Sequence, residues 1–349
     1  MIFPKQEFQK ASVKEANLDK GLLADMFDEI EKQKINIHSM MLLKDGARVF
    51  RASAFDHTED TVENVYSISK SFTSVAIGIL IDLKLVNLED YVLFFFSEEV
   101  DSYLPAYEKL KVKHLLTMSS GQSEDIFNRL TPNDNIYQEF FNVPLSFEIG
   151  EKFQYQNAST LMLSAIVTKV TGKCVNDFLD EYLYKHIGIE KPEWNQVNNV
   201  NFGATGLKIS TNDMARFGLL LLNDGNWNGK QIVSKEYLDE ATKLQINTEE
   251  SDLDIDKAGY GYLFWINAFG NYRCAGLFKQ YIVINKEYNL VFACKAYEER
   301  EVLDLFDTFI LESAKKGWHY VSWSLRDYIR DFKNNSRELI ENEREKRIY

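Results

Sequence analysis

Cysteine and histidine are scarce in this chain, positive charge falls short of negative, and long uninterrupted apolar runs are missing. The three cysteines, Cys174, Cys274 and Cys294, are odd in number and widely spaced, which argues against a disulfide framework and for a reducing compartment. Five scattered histidines offer no zinc-ligand spacing, so no metal and no cofactor is expected. No segment is apolar for long enough to span a bilayer, and Met1-Ile2-Phe3-Pro4-Lys5-Gln6-Glu7 lacks the apolar core and cleavage site of a secretory signal. These absences predict a soluble, cytoplasmic protein. With 40 Lys and Arg against 53 Asp and Glu, the net charge is −13, which disfavours nucleic acid or an anionic membrane as partner. No internal repeat is evident.

What is present is enough apolar material for a large core: 45% of 349 residues are hydrophobic and 13% aromatic, either as one elaborate domain or as two lobes. A helix is predicted at about 18–33, then a hairpin from 37–43 and 47–55 around Lys44-Asp45-Gly46. From Ser67 to about Gln245 helices and loops dominate. Strands return at 260–268, 272–276, 280–285 and 290–296, followed by helices at 299–315 and 322–347. Strands at both ends around a helical middle predict an α/β (α+β) fold whose antiparallel sheet is built from both chain ends. The corresponding lobes are 1–66 with 255–349, and a mainly helical 67–254, with the active site at the seam.

The chemistry begins at Val65-Tyr66-Ser67-Ile68-Ser69-Lys70-Ser71-Phe72-Thr73, which opens the most apolar helix of the chain, Val75 to Leu85. Ser67 and Lys70 are one turn apart on one face, so an amine stands beside a hydroxyl where the helix N-terminus favours developing negative charge. Spacing alone is weak, because Ser313-Ala314-Lys315-Lys316 repeats it late in an amphipathic segment, where lysines simply suit a helix C-terminus. The second element is Tyr155-Gln156-Asn157, on a loop between helices. A tyrosine near a lysine ammonium ionises more easily and accepts the serine proton, and Asn157 offers its amide to the lysine or to a substrate carbonyl.

The order and flanks of these motifs resemble the serine β-lactamase and penicillin-binding protein superfamily, especially its class C and esterase-like branch. Further segments carry the resemblance: Leu85-Val86-Asn87-Leu88-Glu89-Asp90, Val112 to Gly121 with Leu115-Leu116-Thr117-Met118-Ser119-Ser120-Gly121, Gly150-Glu151-Lys152-Phe153 before Tyr155, Gly206 to Gly218, and Asp224 to Ile232. The resemblance implies a β-lactamase/transpeptidase-like fold. Ser67 would attack an acyl carbonyl, Lys70 would help deprotonate it, and Tyr155 would be base or proton relay, the choice between the two remaining open. It also implies an oxyanion hole from the backbone N–H groups of Ser67 and Leu277.

The third motif of that family, a basic residue followed by a hydroxyl residue and glycine, is altered here: Gly276 is kept, but Cys274 and Ala275 replace the other two. That weakens any claim to β-lactams, whose carboxylate those side chains usually grip. Arg273 or Lys279 could restore the charge, although strand alternation turns each toward solvent. Cys274, Ala275, Gly276 and Arg273, with Gln122 and Asn157 for a substrate amide, form the expected substrate-binding set, and loops 122–143 and 193–202 are expected to line the pocket. His186-Ile187-Gly188 imitates the third motif but reads as a turn after a helix, and Ser210-Thr211-Asn212 reads as a helix N-cap.

The last helix is densely charged, with Trp323, Tyr328, Ile329, Phe332, Leu339 and Ile340 as apolar anchors. It reads as a solvated helix resting on the body, a homodimer contact being the other use. The leading expectation is a serine hydrolase acting through an acyl-enzyme on small esters or amides, with a small-molecule acyl substrate as its partner. The alternatives are a non-catalytic binding protein on the same scaffold, and a DD-peptidase or true β-lactamase.

Overall fold

The computed structural model describes residues 1–4, 7–251, 254–319 and 324–347. They form two compact units, one of Met1–Val65, Ile209–Asn223 and Ala275–Tyr349, the other of Tyr66–Lys208 and Asp224–Cys274.

The first unit is organised by an antiparallel sheet. The hairpin Ile37–Lys44 and Ala47–Ser53 turns at Asp45-Gly46, both with positive φ (54° and 84°), the conformation a two-residue hairpin loop demands. Gly46 is required twice over, because a Cβ there would lie 2.1 Å from the Ile2 carbonyl oxygen. Ile37–Lys44 also pairs antiparallel with Leu290–Ala296, which pairs with Gln280–Asn285. N-terminal and C-terminal strands therefore share one sheet, as the strand distribution predicts.

Every residue of Leu290–Ala296 is buried, because both faces of the sheet are covered. Phe27 of helix Lys20–Gln33 packs on Phe50, and Phe306 on Phe292. On the opposite face, helix Thr211–Leu222 comes so close that a Cβ on Gly218 would lie 2.5 Å from Val291 and 2.8 Å from Ile282. A doubly covered strand has no reason to alternate polar and apolar residues, and this one does not. Ser210 caps that helix in a reciprocal box with Asp213, the role its sequence context assigns.

Departures from expectation cluster near the C-terminus. The helix expected over 322–347 is two, Leu325–Asn335 and Arg337–Arg347. They break at Ser336, whose hydroxyl accepts the Phe55 N–H at 2.9 Å. Phe332 and Ile340 are buried as anchors, Phe332 against Phe27, whereas Trp323 lies outside the described residues. Glu343, counted with the solvated charges, is buried instead and meets His38.

The second unit is built on two helices, Ile68–Asp82 and Asn157–Thr171, buried on all sides from Ile68 to Leu80 and from Ala158 to Val167. Their hydroxyls are used internally: Ser71 donates to Leu263 O, Thr73 to Gly203 O and Ser74 to Tyr262 O. The strand expected over 260–268 shortens to Trp265–Ile266, because the N–H of Gly261 turns back to Phe264 O and that of Tyr262 goes to Ala241 O, outside any ladder. Among the described residues no helix is long and apolar enough to cross a membrane.

Candidate active site

Ser67 ends a short extended approach and stands at the N-terminus of helix Ile68–Asp82. The preceding Tyr66 has φ of 48°, a conformation costly for a bulky side chain and tolerated where surrounding structure holds it. The Ser67 hydroxyl makes no capping bond to its own helix, so it is left for other partners.

Those partners come from Lys70 and Tyr155. Lys70 is 1% exposed, and its Nζ donates to Ser67 Oγ at 3.0 Å, Asn157 Oδ1 at 2.8 Å and the Ala204 carbonyl at 2.9 Å. Three contacts match the three protons of an ammonium. Burial nevertheless pushes the amine down to about 7, against the opposing pull of the Asp125 carboxylate. When the proton leaves, the two carbonyl acceptors keep the remaining hydrogens, and the lone pair falls toward Ser67. Such a lone pair could accept the Ser67 proton.

Tyr155 hydrogen-bonds the Ser67 hydroxyl, and its ring centroid lies 4.7 Å from Lys70 Nζ. The ring stacks parallel on Trp265, 6.0 Å between centroids, with Tyr260 edge-on. Lys70 therefore faces the ring rather than the hydroxyl. Burial raises the phenol well above its usual 10, and the Ser67 hydrogen bond offsets only part of it. The expectation that a neighbouring lysine eases ionisation of Tyr155 is thus reversed.

Asp125, which no sequence motif marks, completes the site. Its Oδ2 accepts from the backbone N–H of Asn157 at 2.8 Å and from Asn157 Nδ2 at 3.0 Å, while Oδ1 accepts from the N–H groups of Ala158 and Phe127, each at 3.1 Å. Anchoring Nδ2 in this way turns Oδ1 of Asn157 to Lys70. One carboxylate thus caps the Asn157–Thr171 helix and fixes the orientation of a lysine partner. Only an aspartate in a loop preceded this arrangement in the sequence, and nothing local marks it.

Several expected substrate-binding residues are otherwise occupied. Gln122 is fully buried, and its amide nitrogen donates to Tyr107 Oη at 3.0 Å and Phe140 O at 2.9 Å, which makes it a brace inside its loop. Cys274 is 1% exposed, with its thiol bonded to Ser71 and pushed up to about 12 by burial. Arg273, expected at solvent, is 1% exposed; it pairs with Asp256, donates to Asn267 and to Ile255 O, and lies over the Trp265 ring. Within the first unit, Ala275 is partly buried and Leu277 is exposed. A Cβ on Gly276 would lie 2.4 Å from the Val65 carbonyl oxygen, so close backbone packing accounts for that glycine. Lys279 pairs with Glu301 at 3.0 Å. From the two expected loops, Phe127 and Phe202 meet edge to face.

The sequence profile described as beta-lactamase matches residues 23–296. The chain belongs to the beta-lactamase family. Ser67, Lys70, Asp125, Tyr155 and Asn157 all fall inside the matched span, whereas the last two helices lie beyond it. Penicillin-binding protein 4* of Bacillus subtilis is 25% identical over 191 residues, which is 48% of this chain and 40% of that protein. The 6-aminohexanoate-dimer hydrolase of Paenarthrobacter ureafaciens is 30% identical over 90 residues, 25% of this chain and 23% of its own length. The chain spans about half the length, or less, of the curated relatives it matches. A solved penicillin-binding protein from Bacillus halodurans superposes with a TM-score of 0.64 at 17% identity, over 82% of this chain and 98% of that one. At that identity the likeness establishes the β-lactamase/transpeptidase-like fold.

Proposed function

We propose that the protein is a serine hydrolase that forms an acyl-enzyme through Ser67 on small esters or amides. The observation that carries this reading is the buried Lys70 amine held between Ser67 Oγ, Asn157 Oδ1 and the Ala204 carbonyl. Lys70 acts as the base. As Ser67 Oγ bonds to the acyl carbon, its proton passes to Lys70 Nζ, and the N–H of Ser67 at the helix N-terminus offers a donor to the developing oxyanion. Tyr155 keeps its proton at neutral pH and works as the relay, giving a proton to the departing alkoxide or amine as the C–O or C–N bond breaks, while the proton that Lys70 took from Ser67 returns to the phenolate through solvent. Water then releases the acid from Ser67 by the same route. Asp125 and Asn157 are positioning residues.

Two observations bear on the substrate. Arg273 is committed to Asp256 and Cys274 is buried, so this segment presents no cation to a substrate carboxylate, which argues against β-lactams. A relative named for hydrolysing an aminohexanoate dimer favours a small linear amide or ester. Treatment with a fluorophosphonate probe, read by intact mass, tests the reading: the wild type should gain one adduct and Ser67→Ala none. Equal masses for both across several acylating probes would replace the hydrolase with a binding protein on the same scaffold. A panel of p-nitrophenyl esters and dipeptide amides beside a chromogenic cephalosporin then sorts the substrate class, and turnover of the cephalosporin would reinstate the β-lactamase alternative.

A further inference from the structure

The first unit contains a cluster that the hydrolase reading leaves unused. His38, on strand Ile37–Lys44, is 3% exposed, with Nδ1 2.8 Å from Glu63 Oε1 and Nε2 2.6 Å from Glu343 Oε2. His57, in the turn after strand Ala47–Ser53, is buried beside it, the two rings 4.5 Å apart. The histidines stand nineteen positions apart in the sequence, far from any compact ligand motif; the hairpin that folds 37–53 back on itself is what brings them together.

The hydrogen bonds decide which ring atoms are available. His57 Nδ1 lies 3.1 Å from the Phe55 carbonyl oxygen, and a carbonyl can be met only by an N–H, so Nδ1 carries the proton and Nε2 presents its lone pair. That lone pair faces Glu63 Oε1 at 3.9 Å, another acceptor. A cation placed between the two would be met by both lone pairs. The other carboxylate oxygen, Glu63 Oε2, is buried, accepts no hydrogen bond among the described residues and lies 3.8 Å from Lys295 Nζ.

We propose that His38 Nδ1, His57 Nε2 and the Glu63 carboxylate form a binding site for a divalent ion of the zinc class, with Glu343 as its orienting partner. One donor atom from each of the three ligands lies within 4.8 Å of the others. Zinc bonds of about 2.0–2.2 Å place tetrahedral ligand atoms about 3.4 Å apart. The 3.9 Å gap therefore closes by about half an ångström, and the 2.8 Å His38–Glu63 contact opens by a similar amount once its proton is gone. On binding, His38 loses the Nδ1 proton to solvent and the ion takes its place, so charge and atoms balance.

The outer nitrogens already have the partners such a site needs, since Nε2 of His38 donates to Glu343 and Nδ1 of His57 to Phe55 O. This is the arrangement that fixes the tautomer and raises ligand basicity in metal-bound histidines. Two imidazoles and one carboxylate select zinc, cobalt or nickel over magnesium or calcium, which prefer all-oxygen sites. Glu343 belongs to helix Arg337–Arg347, so the ion would tie that helix to the sheet through His38.

The test uses the full chain stripped with chelator and titrated with Zn²⁺ by calorimetry and with Co²⁺ by visible absorption. Wild type should bind one ion per chain and give the intense d–d bands of four-coordinate cobalt. His57→Ala and Glu63→Gln should weaken binding at least tenfold, and Glu343→Gln tenfold to a hundredfold. Circular dichroism melts of each variant separate lost ligands from lost folding, and the wild-type stoichiometry and spectrum stand even if a variant unfolds. No one-to-one binding by wild type, a six-coordinate cobalt spectrum, or unchanged affinity in folded His57→Ala and Glu63→Gln would overturn the site.

Discussion

The acid limb of Ser67 reactivity should report the Lys70 amine. Burial lowers that amine from 10.5 to about 7, so the neutral, proton-accepting form falls to about a tenth at pH 6 and about a hundredth at pH 5. Labelling of Ser67 by a neutral acylating probe, followed by stopped-flow or quenched mass spectrometry, should rise about tenfold per pH unit below 7 and level off above it. Asp125 opposes the fall, so Asp125→Asn should move the midpoint to lower pH while also loosening Asn157. The same displacement has a stability counterpart. Between pH 7 and 10.5 the folded chain has released a proton that the unfolded chain still holds, so stability rises with pH across that window, by about 1.4 kcal/mol per unit and about 5 kcal/mol in all. Below pH 7 both states are protonated and the folded one carries the full cost of a buried ammonium. Wild type should therefore gain about 2–3 kcal/mol between pH 7 and 9 relative to Lys70→Met in denaturant titrations. A labelling profile that is flat through pH 7 and rises only near 10 would refute this reasoning and return the base role to Tyr155.

Other expectations follow from the same contacts. Tyr155→Phe should retain the fold but lose about a hundredfold to ten-thousandfold in ester turnover, measured as kcat. Arg273→Met removes the buried guanidinium that pairs with the half-buried Asp256 and should cost about 1.5–3 kcal/mol in denaturant unfolding; an unchanged midpoint with a raised KM would make Arg273 a substrate group after all. Gln122→Ala should lower the melting temperature without selectively raising KM, because its amide braces Tyr107 and Phe140. Gly218→Val should destabilise by about 1–3 kcal/mol, since the side chain would meet Val291 and Ile282.

The elements legible in the sequence were those whose signals are local. The Asp45-Gly46 turn and its flanking strands, the Ser210 cap, and the serine–lysine pair opening a strongly apolar helix each follow from a few neighbouring residues. Tertiary hydrogen bonding was not legible. Asp125 sits thirty-two positions before Asn157, and Glu343 lies 305 positions from His38, so no spacing announces either pairing. Strand alternation places Arg273 at solvent because it is blind to what packs beyond the strand; Asp256 and Asn267 supply the missing partners. The histidines looked scattered for the same reason, since a hairpin, not a motif, sets their separation.

Strand Ile37–Lys44 is paired along both edges and buried along nearly its whole length, yet one of those partners, Leu290–Ala296, is synthesised last among the sheet strands. At about 5–20 residues per second, a ribosome needs roughly 12–50 s to make the intervening stretch. Throughout that interval the nascent hairpin carries an apolar, unzipped edge. Release of chains ending before residue 290 should accordingly yield aggregates, and the burden of protecting the growing polypeptide falls on whatever chaperone meets its first fifty residues.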